Sequence, residues 1–179
     1  MEETWLEAIA GGRIEALELL YSEWRVPVYG FILSIVNNKA LAEDLTQDTF
    51  VQVYTKAGLY QKGTKPRSWV LTIARNLAYD ALRRTSRMTP VPSEQLDTRP
   101  GSGDPASVIV DTLYVTKMLN SLADSERQIV ILKLLNGCTH SEIADILQLP
   151  EGTVKWKYRK ALHRLENLLG GDRRDDVSR

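Results

Sequence analysis

Between Gly137 and Leu168, two runs of apolar residues at helical spacing are separated by a join too short for anything but a tight turn. Ile143, Ala144, Ile146 and Leu147 form the first stripe; Val154, Tyr158, Ala161, Leu162, Leu165 and Leu168 form the second. Pro150 and Gly152 punctuate the join, and Thr153 offers a hydroxyl to the orphan amides of a new first turn. Off the second stripe stand Lys155, Trp156, Lys157, Arg159, Lys160, His163 and Arg164. Two helices linked this closely, the second with a basic face, form the geometry that enters a DNA major groove.

The net charge of zero argues against a nucleic-acid binder until it is divided along the chain. Residues 1–64 hold five basic and nine acidic side chains, residues 65–92 six and one, residues 93–126 two and six, and residues 127–170 seven and four. Local charges of −4, +5, −4 and +3 follow, and the tail 171–179 balances three against three. Two separate basic segments suit two local contacts with a polyanion rather than non-specific coating. The acidic parts should repel DNA or meet another basic partner.

Helical periodicity dominates the rest, with no strand-like alternation. Trp5, Leu6, Ile9 and Ala10 precede an interruption at Gly11 and Gly12; Ala16 to Trp24 form a second stripe, and Val28 to Val36 continue it after Pro27. Asn37 and Asn38 mark a turn. Leu41, Leu45, Thr49 and Val53 then recur every four residues, with Phe50 and Tyr54 beside them, and Glu43, Asp44, Gln47 and Asp48 gather on the opposite side. After a loop from Gly58 to Pro66, Trp69, Val70, Ile73, Leu77, Ala81 and Leu82 resume the pattern. Lys65, Arg67, Arg75, Arg83, Arg84 and Arg87 surround that helix, which also displays Trp69, Asn76 and Tyr79. Cations interleaved with aromatics and an amide suit single-stranded nucleic acid, because phosphates take the charge and unstacked bases take the rings.

From Ser86 to Ser107 the pattern collapses, and four of the chain's seven prolines lie there. The expected fold is all-α: two small helical domains, 1–87 and 108–170, joined by a flexible linker at 88–107 and followed by a tail at 171–179. In the second domain Asp124 or Ser125 should cap a helix that ends at a C-cap Gly137. The apolar stripes can also close on each other between the two domains. Cys138 has no partner for an internal disulfide and reads as a half-buried small residue; with only His140 and His163 beside it there is no metal set and no cofactor signature. No phosphate-binding glycine loop or nucleophile–base pair marks an enzyme or a small-molecule substrate. The acidic start and the absence of about 18 consecutive apolar residues imply a cytoplasmic chain without direct membrane insertion.

Three motifs in this order resemble the extracytoplasmic-function branch (group 4) of the sigma-70 family of RNA polymerase sigma factors. Ala42–Tyr54 is similar to the region 2 helix that docks on the clamp helices of the polymerase largest subunit, Ser68–Arg84 to the segment that opens and reads the promoter minus-ten element, and Leu122–Lys155 to region 4, which reads the minus-thirty-five element. The resemblance implies core-polymerase binding by Asp44, Gln47 and Asp48. It implies minus-ten binding by Asn76, which holds a flipped base, together with Arg75, Arg83, Arg84 and Trp69, although Trp69 is in phase with the core. Asp80 is expected to tie down a neighbouring arginine. Minus-thirty-five binding falls to Thr153, Lys155, Trp156, Lys157, Arg159 and Lys160, with Arg159 and Lys160 first in the groove. The implied partners are core RNA polymerase (clamp helices and flap), promoter DNA and an anti-sigma factor. The chain departs from the family pattern at Trp156, where a small polar residue is usual, at Pro66, where an aromatic is common, and at Gln148, where glycine or asparagine is frequent. A stand-alone helix-turn-helix regulator is the alternative, and a helical adaptor a further one; both leave motifs without a role.

Overall fold

The computed structural model describes residues 2–61, 65–88, 115 and 117–172, except for the side chains of 2–4, 86–88 and 170–172. Among them all regular structure is helical: α1 (Glu2–Ala10), α2 (Ile14–Val36), α3 (Lys39–Lys56), a 3₁₀ turn (Ala57–Leu59), α4 (Pro66–Met88), α5 (Asp124–Leu134), α6 (His140–Leu147) and α7 (Glu151–Asp172). Residues 117–120 are also helical. No helix among the described residues is long and apolar enough to cross a membrane.

The breaks follow local chemistry. Gly12, at φ 83°, ends the first turn set in a conformation that costs glycine no Cβ clash. Asn37 takes the left-handed conformation at φ 52° and donates its N–H to the Leu33 carbonyl; Asn38 then caps α3, its side chain accepting from the Leu41 N–H at 2.9 Å. Pro27 does not divide the preceding segment. α2 runs through it, because Trp24, Val28, Phe31 and Ile32 on both sides are buried on one core, and that burial outweighs a lost backbone bond. The buried Thr46 and Thr49 donate their hydroxyls back to the Ala42 and Leu45 carbonyls, at 2.6 and 2.7 Å.

Four expected boundaries shift. The cap of α5 is Ala123, not Asp124 or Ser125; Glu126 reaches back to its N–H at 3.4 Å, while Asp124 pairs with Arg127 at 2.7 Å. α5 ends at a C-cap Leu135, and Gly137, at φ 65°, lies two residues further on, where the Cys138 N–H returns to the Leu132 carbonyl. α7 starts directly after Pro150, whose carbonyl accepts from the Thr153 and Val154 N–H groups, so Thr153 sits inside the first turn rather than capping it. α4 extends through Met88, past the expected start of the linker; the remainder of the linker lies outside the described residues.

The two domains share one core. Leu20, Trp24, Phe31 and Ile32 of α2, Val53 of α3 and Val70 and Leu71 of α4 are continuous with Ile129, Leu132, Ile143 and Ile146 of the second domain. A smaller cluster of Leu122, Val130 and Ala161 holds α7 on α5. Of the two arrangements the stripes allowed, closure between the domains is the one adopted. Gly30 lies at the seam: a Cβ there would stand 2.6 Å from Leu135 Cδ2, so the glycine leaves that side chain room beside α2. Arg127 reinforces the seam by donating Nε to the Ser34 carbonyl at 3.4 Å.

Candidate nucleic-acid interface

The acidic edge of α3 forms as its periodicity requires. Ala42, Leu45, Thr46, Thr49, Phe50 and Val53 turn inward, which leaves Asp44, Gln47 and Asp48 exposed. The same exposed face carries Val51 and Tyr54, 61% and 44% accessible. Val51 went unnoticed in the sequence although its spacing from Gln47 and Tyr54 puts it on this stripe. Apolar residues ringed by acids and an amide have the composition of a docking surface for a basic partner.

On α4, Val70, Leu71, Ala74 and Ala78 are buried and Asn76, Arg83 and Arg84 exposed. Trp69 is half-buried, edge-on to Tyr60 with ring centroids 5.7 Å apart, and packs on the core as its phase indicated. Asp80 pairs with Arg83. The Arg75 guanidinium lies 5.0 Å from the Tyr79 ring centroid, with its buried Nε lacking a hydrogen-bond partner among the described residues. Arg75, Asn76, Tyr79, Asp80 and Arg83 line a cleft of about 510 Å³, and its remaining wall is Gln148, from the turn of the helix-turn-helix. Gln148 holds the left-handed conformation at φ 56° as the C-cap of α6.

Two cations of the basic cluster leave this face. Arg67 packs over Trp24, 5.3 Å from the ring centroid, and donates Nη1 to the Asn136 carbonyl at 2.7 Å. Lys65 pairs with Glu142 at 3.4 Å. Burial raises the Glu142 pKa, but hydrogen bonds from the Thr139 hydroxyl and N–H and the Lys65 ammonium outweigh it and hold the carboxyl below its usual value. Gln128 Nε2 donates to the Tyr79 hydroxyl at 3.3 Å. These partners are separated by 43 to 77 residues, so no local spacing announces them. Arg87 has no described side chain.

The exposed face of α7 carries Lys155, Trp156, Arg159, Lys160 and His163, while Val154 and Ala161 are fully buried beneath it and Thr153 is half-buried. Its cations are not equally free. Lys155 pairs with Glu151 at 2.7 Å, and that hydrogen bond holds the Glu151 pKa below its usual value. Lys157 turns to Ser125 Oγ at 2.8 Å. Lys160, a first choice for the groove, is 3.2 Å from Glu126, which is buried, and lies over the Trp156 ring at 5.2 Å, with its own side chain still exposed. Arg159 is exposed and makes no ion pair among the described residues. Glu126 had a signal in the sequence: it is in phase with Ile129 and Val130 of the buried stripe, where an acid needs a cation.

Cys138 is buried rather than half-buried, and burial, with Glu142 nearby, pushes its thiol up to about 12, which leaves it in the unreactive protonated form. Among the described residues no three His, Cys, Asp or Glu side chains gather as a metal set.

The described residues thus set out one cationic helix, one amide-and-arginine face beside a cleft, and an acidic edge apart from both. Residues 20–88 match the family model of sigma-70 region 2, and residues 112–165 that of sigma-70 region 4. The chain is 31% identical over 166 residues to the RNA polymerase sigma factor CarQ of Myxococcus xanthus, covering 92% of this chain and 95% of that one. It is 27% identical over 176 residues to the ECF RNA polymerase sigma factor SigK of Mycobacterium sp. strain JLS, covering 92% and 89%. Among solved structures, the sigma factor RpoE of Bartonella quintana, in complex with the anti-sigma factor NepR, superposes with a TM-score of 0.71 and 26% identity over 90% of this chain and 98% of that one. CnrH, in complex with the cytosolic domain of CnrY, shares the fold at a TM-score of 0.71 and 20% identity, over 96% and 98%. This chain belongs to the extracytoplasmic-function branch of the sigma-70 family, the initiation factors that bind core RNA polymerase and direct it to promoters.

Proposed function

We propose a division of labour among three surfaces. The α3 edge of Asp44, Gln47 and Asp48, with Val51 and Tyr54 as its apolar centre, docks on core polymerase at the clamp helices, and the second domain meets the flap. Asn76, Arg75, Arg83 and Arg84, backed by Trp69, take the melted minus-ten strand: the arginines meet phosphates, and the Asn76 amide offers both a donor and an acceptor to a flipped base. The α7 residues Thr153, Lys155, Trp156, Lys157, Arg159 and Lys160 meet the minus-thirty-five duplex, with Arg159 the freest cation for a base edge. The domains responsible span 1–87 and 108–170, with the connection at 88–107.

The observation that carries this reading is the exposure of all three surfaces on separate helices of one chain. Polymerase supplies the catalysis and the factor the address, which places it in the cytoplasm. An anti-sigma factor is the remaining partner; the support is the Bartonella quintana complex. A stand-alone regulator would leave the α3 edge and the α4 face without work.

The test is transcription in vitro with purified core polymerase on promoters active after overexpression of the chain. Initiation should depend on added protein, and alanine at Asp44, Gln47 and Asp48 together should weaken core binding about tenfold or more with helicity unchanged. Footprinting of duplex by the chain alone, with no effect on initiation, would favour the regulator.

A further inference from the structure

Trp156 stands on the exposed cationic face of α7, 54% accessible among Lys155, Arg159 and Lys160. It is also held. The Lys160 ammonium covers one ring face at 5.2 Å, and Lys160 is fixed in turn by Glu126, 3.2 Å away with its carboxylate almost wholly buried under the helix. A buried acid and an exposed ring thus share one lysine. The acid needs the cation to offset its lost hydration, and the cation keeps the indole from rotating. Even so braced, the indole stays 54% accessible.

A major groove offers such a ring one apolar partner on the base edges, the C5 methyl of thymine. We propose that Trp156 reads a thymine methyl at one position of the upstream promoter element, and that Lys160 and Glu126 are positioning residues that brace it. The proposal rests on the reading of α7 as the duplex-reading helix.

Replacing thymine by deoxyuridine removes only the methyl. Holoenzyme assembled from the full chain and core polymerase is therefore tested on promoter duplexes with deoxyuridine placed singly at each upstream-element thymine. At one position the wild type should bind about fourfold more weakly, the worth of one buried methyl-sized group. Trp156→Ala should bring that thymine-to-uracil ratio to about one while other positions keep their discrimination. Glu126→Gln and Lys160→Met should each lower the same ratio, and Lys160→Arg should restore it, because a guanidinium reaches both the carboxylate and the ring. If Glu126→Gln does not fold, Lys160→Met carries the same test. A Trp156→Ala effect equal on thymine and uracil templates would mean that the ring packs on sugar or donates its N–H to a purine, and overturns the proposal while leaving α7 on duplex. Insensitivity of binding to every upstream base and to every α7 variant would overturn the reading beneath it.

Discussion

The faces of α4 and α7, both proposed to meet DNA, are rich in arginine or lysine, yet their charges are anchored differently. On α7 the partners are local: Lys155 to Glu151 one turn away, Lys157 to Ser125 and Lys160 to Glu126 on the neighbouring α5. The cations of this face therefore take their partners within their own domain. Lys65 just before α4, and Arg67 and Tyr79 on it, reach into the second domain, and Gln148 of that domain closes one wall of the cleft that holds Asn76. The single-strand face is thus coupled to the placement of the other reader.

The strongest test of this contrast is a double dissociation. Asn76→Ala should lose about tenfold in holoenzyme binding to a single-stranded minus-ten oligonucleotide, most of it at one base, with upstream duplex affinity unchanged; Arg159→Ala should show the reverse pattern, at a similar size. Loss of both affinities in both variants would break the comparison. Next in size, Arg67→Ala strips the Asn136 carbonyl of its donor and Trp24 of its cation, and should lower the unfolding free energy by about 1–3 kcal/mol in a denaturant titration. Arg84→Ala, on an exposed side chain, should stay within about 0.5 kcal/mol. Gln148→Gly relieves the left-handed backbone at φ 56° and should raise stability by about 0.5–1 kcal/mol, while removing one wall of the Asn76 cleft.

The smallest effect is on pH. Because the folded pKa of Glu142 lies below its usual 4.5, its contribution is complete above that value and is lost as pH falls through the lowered folded pKa. Melting temperature followed from pH 6 downward should fall on this acid side, and Glu142→Gln should flatten that limb. An unchanged limb would show that the Lys65 pair adds nothing to the seam.

Much of this was legible because it is local. Period and polarity put Asp44, Gln47 and Asp48 on the outside of α3, Asn37 and Asn38 at a turn, Asp80 beside an arginine and Trp156 among lysines. The caps were less legible: Ala123 caps α5 because Glu126 satisfies its amide from the third position, a choice that neighbouring Asp124 and Ser125 obscure. Gly30 carried no local signal at all, since its reason, Leu135, is 105 residues away.

What the sequence determined by itself, then, is the set of helices and which side of each is wet, since both depend on contacts three or four residues apart. Tertiary structure alone decided which internal partners the cations take. That Lys160 sits beside Glu126 and a tryptophan, and that Arg67 meets the Asn136 carbonyl, depends on groups brought together only when the core closes, and a buried acid or carbonyl claims the nearest donor because water cannot serve it.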